Sequence, residues 1–168
     1  MLGKPKSYLA FITKLSCVKQ LSRKAEDYLE AILNISLEKG YAKTKDVACE
    51  LGISAPSVVE MFRKLDTMGL VEYRRYEGVT LRPEGREIAE VVKYRHDTLR
   101  KFLTLIMVPE DVADKDACIM EHELDSATIV QIRQFVDFLE SHFYKPDTLE
   151  LFKSYCRANG FETKNRKL

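Results

Sequence analysis

The chain is 168 residues long, 45% hydrophobic and 32% charged, with a formal net charge of +1. That length holds one full core or two small domains, and the composition is that of a soluble globular protein. The balance excludes a chain driven onto nucleic acid by net charge alone, and four scattered cysteines (Cys17, Cys49, Cys118, Cys156) without a CxxC pair exclude a disulfide framework.

Charge is uneven along the chain. Residues 1–25 carry Lys4, Lys6, Lys14, Lys19, Arg23 and Lys24, and the last five residues read "KNRKL". The apolar residues Tyr8, Leu9, Phe11, Ile12, Leu15 and Val18 are interrupted by Lys14 and lack a small-residue cleavage site, so they predict an amphipathic helix rather than a signal peptide. No run approaches the ~18 apolar residues of a membrane span, and the expectation is a cytoplasmic protein with no membrane partner.

Ser22 starts a helix whose inward set is Ala25, Leu29, Ile32, Leu33 and Leu37, and Gly40 ends it. Thr44 is expected to cap a shorter helix through Leu51, with Val47, Ala48 and Leu51 inward. Gly52-Ile53 makes a turn, Ser54 caps a third helix to about Met68 with Val58, Met61, Phe62 and Leu65 inward, and Gly69 follows its end. "LVEYRRYEGVTLRP" then predicts two short strands hinged near Glu77-Gly78.

Pro83 opens a long helix carrying Ile88, Val91, Val92, Leu99, Phe102 and Leu103. After Pro109 and an acidic turn, a helix is expected over Val112–Glu123. Ser126 is expected to cap the next helix, with Ile129, Ile132, Phe135, Val136 and Leu139 on one side, and Pro146 begins a last helix to about Arg157. The expected organisation is a basic arm over 1–21, a winged helix-turn-helix domain over 22–85, a helical domain over 86–145 and a C-terminal helix and tail over 146–168. The fold class is mainly α with a small β-hairpin wing.

Three helices followed by a hairpin place the start of the third helix where a winged helix-turn-helix reads base edges. The exposed candidates there are Ser54, Pro56, Ser57 and Glu60. Short hydroxyls suit close approach, Pro56 suits contact with a thymine methyl, and Glu60 suits a cytosine amine. Lys43, Thr44 and Lys45, with Arg74 and Arg75 in the wing, are candidates for phosphate. The alternative is a winged-helix regulator that senses an organic ligand or docks protein.

Residue types that bind metal gather in three places: Asp27 and Glu30, three apart on the first helix; His96 in "KYRHDTL"; and Cys118, Glu121 and His122 in "CIMEHELDS". Each has a plainer reading, as charges complementing a helix dipole, an exposed histidine or a core cysteine. "EHELD" is not the H-E-x-x-H of zinc proteases, and no nucleophile motif or phosphate loop accompanies it, so an enzyme is not expected.

Across residues 22–141, the stretches "AEDYLEAIL", "ISAPSVVEMFRKLDTMGLV", "YRHDTLRKFL" and "ACIMEHELDS" closely resemble the diphtheria-toxin-repressor family of metal-dependent transcriptional repressors. The resemblance implies a winged helix-turn-helix domain followed by a helical metal-binding and dimerisation domain. Its short form lacks the SH3-like third domain of longer members. It implies a homodimer that binds double-stranded operator DNA when metal is bound and represses metal-uptake genes. It also implies a ligand set of Asp27, Glu30, His96, Cys118, Glu121 and His122.

Asp27 and Glu30 are similar to the manganese-responsive members and Cys118 to the iron-responsive ones. The thiolate makes Fe(II) the expected ion and Mn(II) the alternative, with other divalent transition metals able to substitute in vitro. Arg100 stands where members of both kinds usually carry a carboxylate of a second metal site, and there the sequence departs from a two-metal pattern.

Overall fold

The computed structural model describes residues 21–142 and 146–159; the predicted helix near residues 8–18 and the basic C-terminal tail lie outside them. The described elements are, in order, helices α1 (Arg23–Lys39), α2 (Thr44–Glu50) and α3 (Ala55–Thr67), strands β1 (Val71–Arg74) and β2 (Gly78–Leu81), and helices α4 (Pro83–Leu105), α5 (Glu110–Glu123), α6 (Ser126–His142) and α7 (Pro146–Ala158). The chain divides into two compact units, Met1–Tyr94 and Arg95–Leu168. No described helix is long and apolar enough to cross a membrane.

The first unit is built from caps and one apolar cluster. The Ser22 side chain accepts from Ala25 N at the start of α1, and Gly40, at φ +83, closes it. Ser54 caps α3 in the same way through Ser57 N, with Pro56 in the first turn. At α2 the N-cap is Lys43 rather than Thr44, and the Asp46 carboxylate reaches back to Lys43 N at 3.3 Å. Asp46 also takes a 2.8 Å hydrogen bond from Lys39, which holds its carboxyl below the usual range.

Strands β1 and β2 pair antiparallel, with Val71 opposite Leu81 and Arg74 opposite Gly78. Val79 N donates to Ala42 O at 2.9 Å, so the segment before α2 joins the hairpin as a bridge. The core contains Tyr28, Leu29, Ile32 and Leu33 of α1, Val47 of α2, Val58, Phe62 and Leu65 of α3, and Val71 and Val79 of the hairpin. Leu37, expected inward, is 62% exposed. The helical period allows it to face the core, but Ile35 is the last α1 residue in that cluster.

The second unit has its own cluster: Leu99 and Leu103 of α4, Ala113 and Ala117 of α5, and Ile129 of α6. Helix α5 begins at Glu110, two residues before its expected start, because Glu110 and Asp111 suit the positive end of the helix dipole and Pro109 ends the preceding turn. At α6 the cap expected from Ser126 comes from Asp125, whose carboxylate accepts from Ala127 N at 2.8 Å. The Ser126 hydroxyl instead takes a 3.0 Å hydrogen bond from Arg95. Of the predicted apolar side of α6, Ile129 and Val136 are buried, while Phe135 is half exposed despite its edge contact with Phe102.

A Cβ built on Gly85, in the first turn of α4, would lie 1.9 Å from the carbonyl oxygen of Leu70, which also accepts from Arg82 N at 3.0 Å. Neither backbone can yield without losing that bond. Gly85→Ala is therefore expected to destabilise the first unit by about 1–3 kcal/mol, read as a lowered urea midpoint. An unchanged midpoint would show that the α4–β1 junction is loose.

Candidate metal centre and nucleic-acid interface

Helix α5 buries Ala113, Ala117 and Glu121, four residues apart in turn. The first two positions of this stripe hold the smallest apolar side chain that still fills a core. The third holds a carboxylate that is only 1% exposed. Burying a charge is costly unless it is paired and hydrogen-bonded, so its surroundings carry the chemistry of the unit.

Two imidazoles flank Glu121. His96 Nδ1 of α4 lies 3.0 Å from Oε2, and His122 Nε2 lies 3.2 Å from Oε1. The His122 contact lacks hydrogen-bond geometry, since Glu121 Oε1 is buried and takes no hydrogen bond. Cys118, three residues before Glu121, places Sγ within 4.8 Å of a carboxylate oxygen of Glu121. His96, Cys118, Glu121 and His122 thus share one neighbourhood of the second unit. Oxygen, imidazole and thiolate donors together suit a divalent transition ion. An acceptor oxygen buried without a donor is the atom such an ion would complete.

His96 Nε2 also lies 3.2 Å from Asp114 Oδ1, and Arg100 Nε lies 3.5 Å from the same oxygen. Sequence reading missed Asp114. It sits one residue outside the buried stripe of α5, and only the packing of α4 on α5 brings it to His96. Arg95, which flanks His96 in sequence, is buried, whereas Asp97 is exposed.

In the first unit, Asp27 and Glu30 lie three residues apart on α1, both half buried. Between them, Tyr28 is 1% exposed and donates from its hydroxyl to the backbone carbonyl of Ser57 at 3.4 Å. Burial, and then the Glu60 carboxylate, push the Tyr28 phenol above its usual pKa.

The nucleic-acid candidates fall on exposed parts of the same unit. Pro56 and Glu60 are exposed in the first turns of α3, and Ser54 and Ser57 share a 2.9 Å contact between their hydroxyls. Arg63, one turn beyond Glu60, is also exposed and was missed, although its spacing of three from Glu60 and seven from Pro56 marks the same face. Lys43 and Lys45 are exposed, and the Lys43 ammonium lies 5.3 Å from the centre of the Tyr41 ring. Thr44 is half buried. In the wing, Arg74 pairs with Glu72 and Glu77, whereas Arg75 lies against Tyr76.

An HTH-type transcriptional regulator MntR of Geobacillus kaustophilus is 38% identical over 115 residues, covering 68% of this chain and 82% of that one. A solved manganese-dependent transcriptional repressor in complex with manganese is 32% identical, with a TM-score of 0.60, over 68% of this chain and 53% of its own. The manganese regulator SloR is 26% identical with a TM-score of 0.60, over 68% of this chain and 54% of its own. The chain thus spans about half the length of these two solved relatives. Residues 20–79 match the iron dependent repressor N-terminal DNA binding domain. Residues 82–148 match the iron dependent repressor metal binding and dimerisation domain, so the chain belongs to the iron dependent repressor family and is a metal-dependent, DNA-binding transcriptional repressor, not an enzyme.

Proposed function

We propose that the protein is a cytoplasmic, Mn(II)-responsive repressor of metal-uptake genes that binds its operator as a homodimer. The observation that carries the metal reading is Glu121, a buried carboxylate between His96 and His122 with one oxygen that takes no hydrogen bond. The proposed ligands are Asp27 and Glu30 of the DNA-reading domain and His96, Cys118, Glu121 and His122 of the helical domain. When bound, a divalent cation supplies the positive charge that lets these carboxylates share one place.

Such an ion favours DNA binding only to the extent that its ligands grip the DNA-competent arrangement more tightly than any other. Asp27 and Glu30 carry that requirement into the reading domain. The functions named for the solved relatives support Mn(II) over the Fe(II) that Cys118 suggested from sequence. Arg100 supports a single ion per subunit, because its guanidinium already offers Asp114 a positive partner.

Calorimetric titration of Mn(II) and Fe(II), under anaerobic conditions, is expected to give one ion per subunit. Glu121→Gln should lower affinity by more than the ~10–100-fold typical of outer-shell changes. Cys118→Asp should keep the fold and shift preference further toward Mn(II), since a hard oxygen replaces a polarisable thiolate. Unchanged affinity in both variants would leave this neighbourhood structural and remove the metal switch.

The homodimer reading is supported by Phe135 and Phe138, both about half exposed on α6. A two-fold partner would also place two α3 helices on successive half-sites of one duplex. Sedimentation is expected to show dimers, and monomers both with and without Mn(II) would overturn it.

For DNA, the proposed face comprises Lys43, Thr44, Lys45, Ser54, Pro56, Ser57, Glu60, Arg74 and Arg75. Replacing Lys43 and Lys45 together by Ala should weaken binding to all sequences alike and reduce the slope of log K against log salt by about 2 units. A changed sequence preference in that variant would reassign these lysines to base reading.

A further inference from the structure

The two arginines of the wing do different things. Arg74, at the end of β1, donates from Nε and Nη2 to Glu72 at 2.9 and 2.7 Å, and from Nη1 to Glu77 at 3.3 Å. Its charge is thereby balanced within the hairpin, while the two carboxylates together keep one negative charge in excess of it. Among the described residues no carboxylate pairs with Arg75. Its guanidinium carbon lies 5.0 Å from the centre of the Tyr76 ring, the distance of a cation–π pair.

Tyr76 is unusual in two respects. It is 88% exposed, so it contributes almost nothing to the core. It also sits at φ +75, a left-handed conformation that glycine or asparagine adopts readily and a bulky aromatic residue does not. Backbone strain of this kind clusters at ligand contacts, and the Tyr76 ring is turned to solvent, open to one. Phosphate alone does not supply that contact, since phosphate gives an aromatic face nothing to pack on.

We propose that Arg75 and Tyr76 are the minor-groove reader of the wing. The Arg75 guanidinium, 5.0 Å from the ring centre, enters the minor groove beside the major-groove site of α3, and the Tyr76 ring packs on the sugars of its wall. A·T-rich minor grooves are narrow and strongly negative, which favours an inserted arginine, whereas the guanine N2 amine projects into the groove and obstructs it. Arg74 offsets one of the two negative charges of Glu72 and Glu77, so with Arg75 the four charged side chains of the hairpin sum to zero. The proposal adds sequence preference at the flanks of the site and rests on the reading that the chain binds duplex DNA.

The test uses the full chain with Mn(II) and a duplex that the wild-type protein enriches from a random-sequence library. Three versions of its flanks are compared: A·T pairs, G·C pairs, and inosine·cytosine pairs, which have the major-groove face of G·C without the minor-groove amine. The wild type should bind the G·C version about tenfold more weakly, and inosine·cytosine should restore the affinity. Arg75→Ala and Tyr76→Gly should lose that discrimination. Tyr76→Gly relieves the backbone strain, so it should melt no lower than the wild type, which separates lost contact from lost fold.

Variants that discriminate among the three flanks as the wild type does would overturn the proposal. So would variants weakened equally on all three, which would make Arg75 a phosphate contact only. A wild type that enriches no duplex with Mn(II) would overturn the DNA reading itself, and the wing proposal with it.

Discussion

A carboxylate at a core position constrains the second unit more than any apolar contact in it. Glu121 continues the stripe of Ala113 and Ala117 on α5, so the packing that buries the two alanines also buries the acid. Water cannot screen that charge at 1% exposure, and hydrophobic neighbours do nothing for it. The unit therefore requires cationic or donor groups at fixed distances; His96 on α4 meets Oε2, whereas His122 approaches Oε1 without hydrogen-bonding it. Leu99, Leu103 and Ile129 hold α4, α5 and α6 in register around this polar point. Under the proposed function, the oxygen at its centre that takes no hydrogen bond is the atom a cation would complete, and metal binding would then add to the stability of the unit.

The parts of the fold readable from sequence were those set by local chemistry. Ser22, Gly40 and Ser54 act within a few residues of their own position, and their roles follow from the hydroxyl or the absent Cβ. The hairpin hinge near Glu77-Gly78 was readable from its glycine, although Ala42 also packs against Gly78 and pairs with Val79. The reading of Ser126 failed because a partner distant in sequence decided the outcome, whereas the cap of α2 and the start of α5 were displaced by neighbours a few residues away. Ser126 has the chemistry of a cap, yet Arg95, thirty-one residues earlier, takes its hydroxyl and Asp125 caps α6 instead. Leu37 has the right period, but the α1 part of the core cluster ends at Ile35.

The candidate site follows the same rule. The three clusters of ligand-type residues stood out in sequence because carboxylate, imidazole and thiolate recur at helical spacing. The burial of Glu121 was also legible in principle, since a spacing of four from Ala117 and eight from Ala113 marks one face. Asp114 was not legible: it is exposed, lies off that stripe, and meets His96 only through packing of α4 on α5. Nor could sequence tell Arg74 from Arg75. Their difference depends on which carboxylates the paired strands bring within reach, and on the backbone sign at Tyr76.

The first unit limits how any ligand can act on DNA binding. Asp27 and Glu30 flank Tyr28 on α1, and the Tyr28 hydroxyl bonds the backbone of Ser57 in the first turn of α3. The same cluster buries Ile32 and Leu33 of α1 with Val58, Phe62 and Leu65 of α3, so the two helices share one close-packed core. Bending α3 relative to α1 would open cavities along that contact at a cost of several kcal/mol, more than a typical allosteric coupling of ~1–3 kcal/mol provides. A metal that engages Asp27 and Glu30 therefore cannot regulate by reshaping the reading helix inside its unit. Within the proposed function, it acts on the unit as a rigid body, and the start of α3 moves wherever α1 is held.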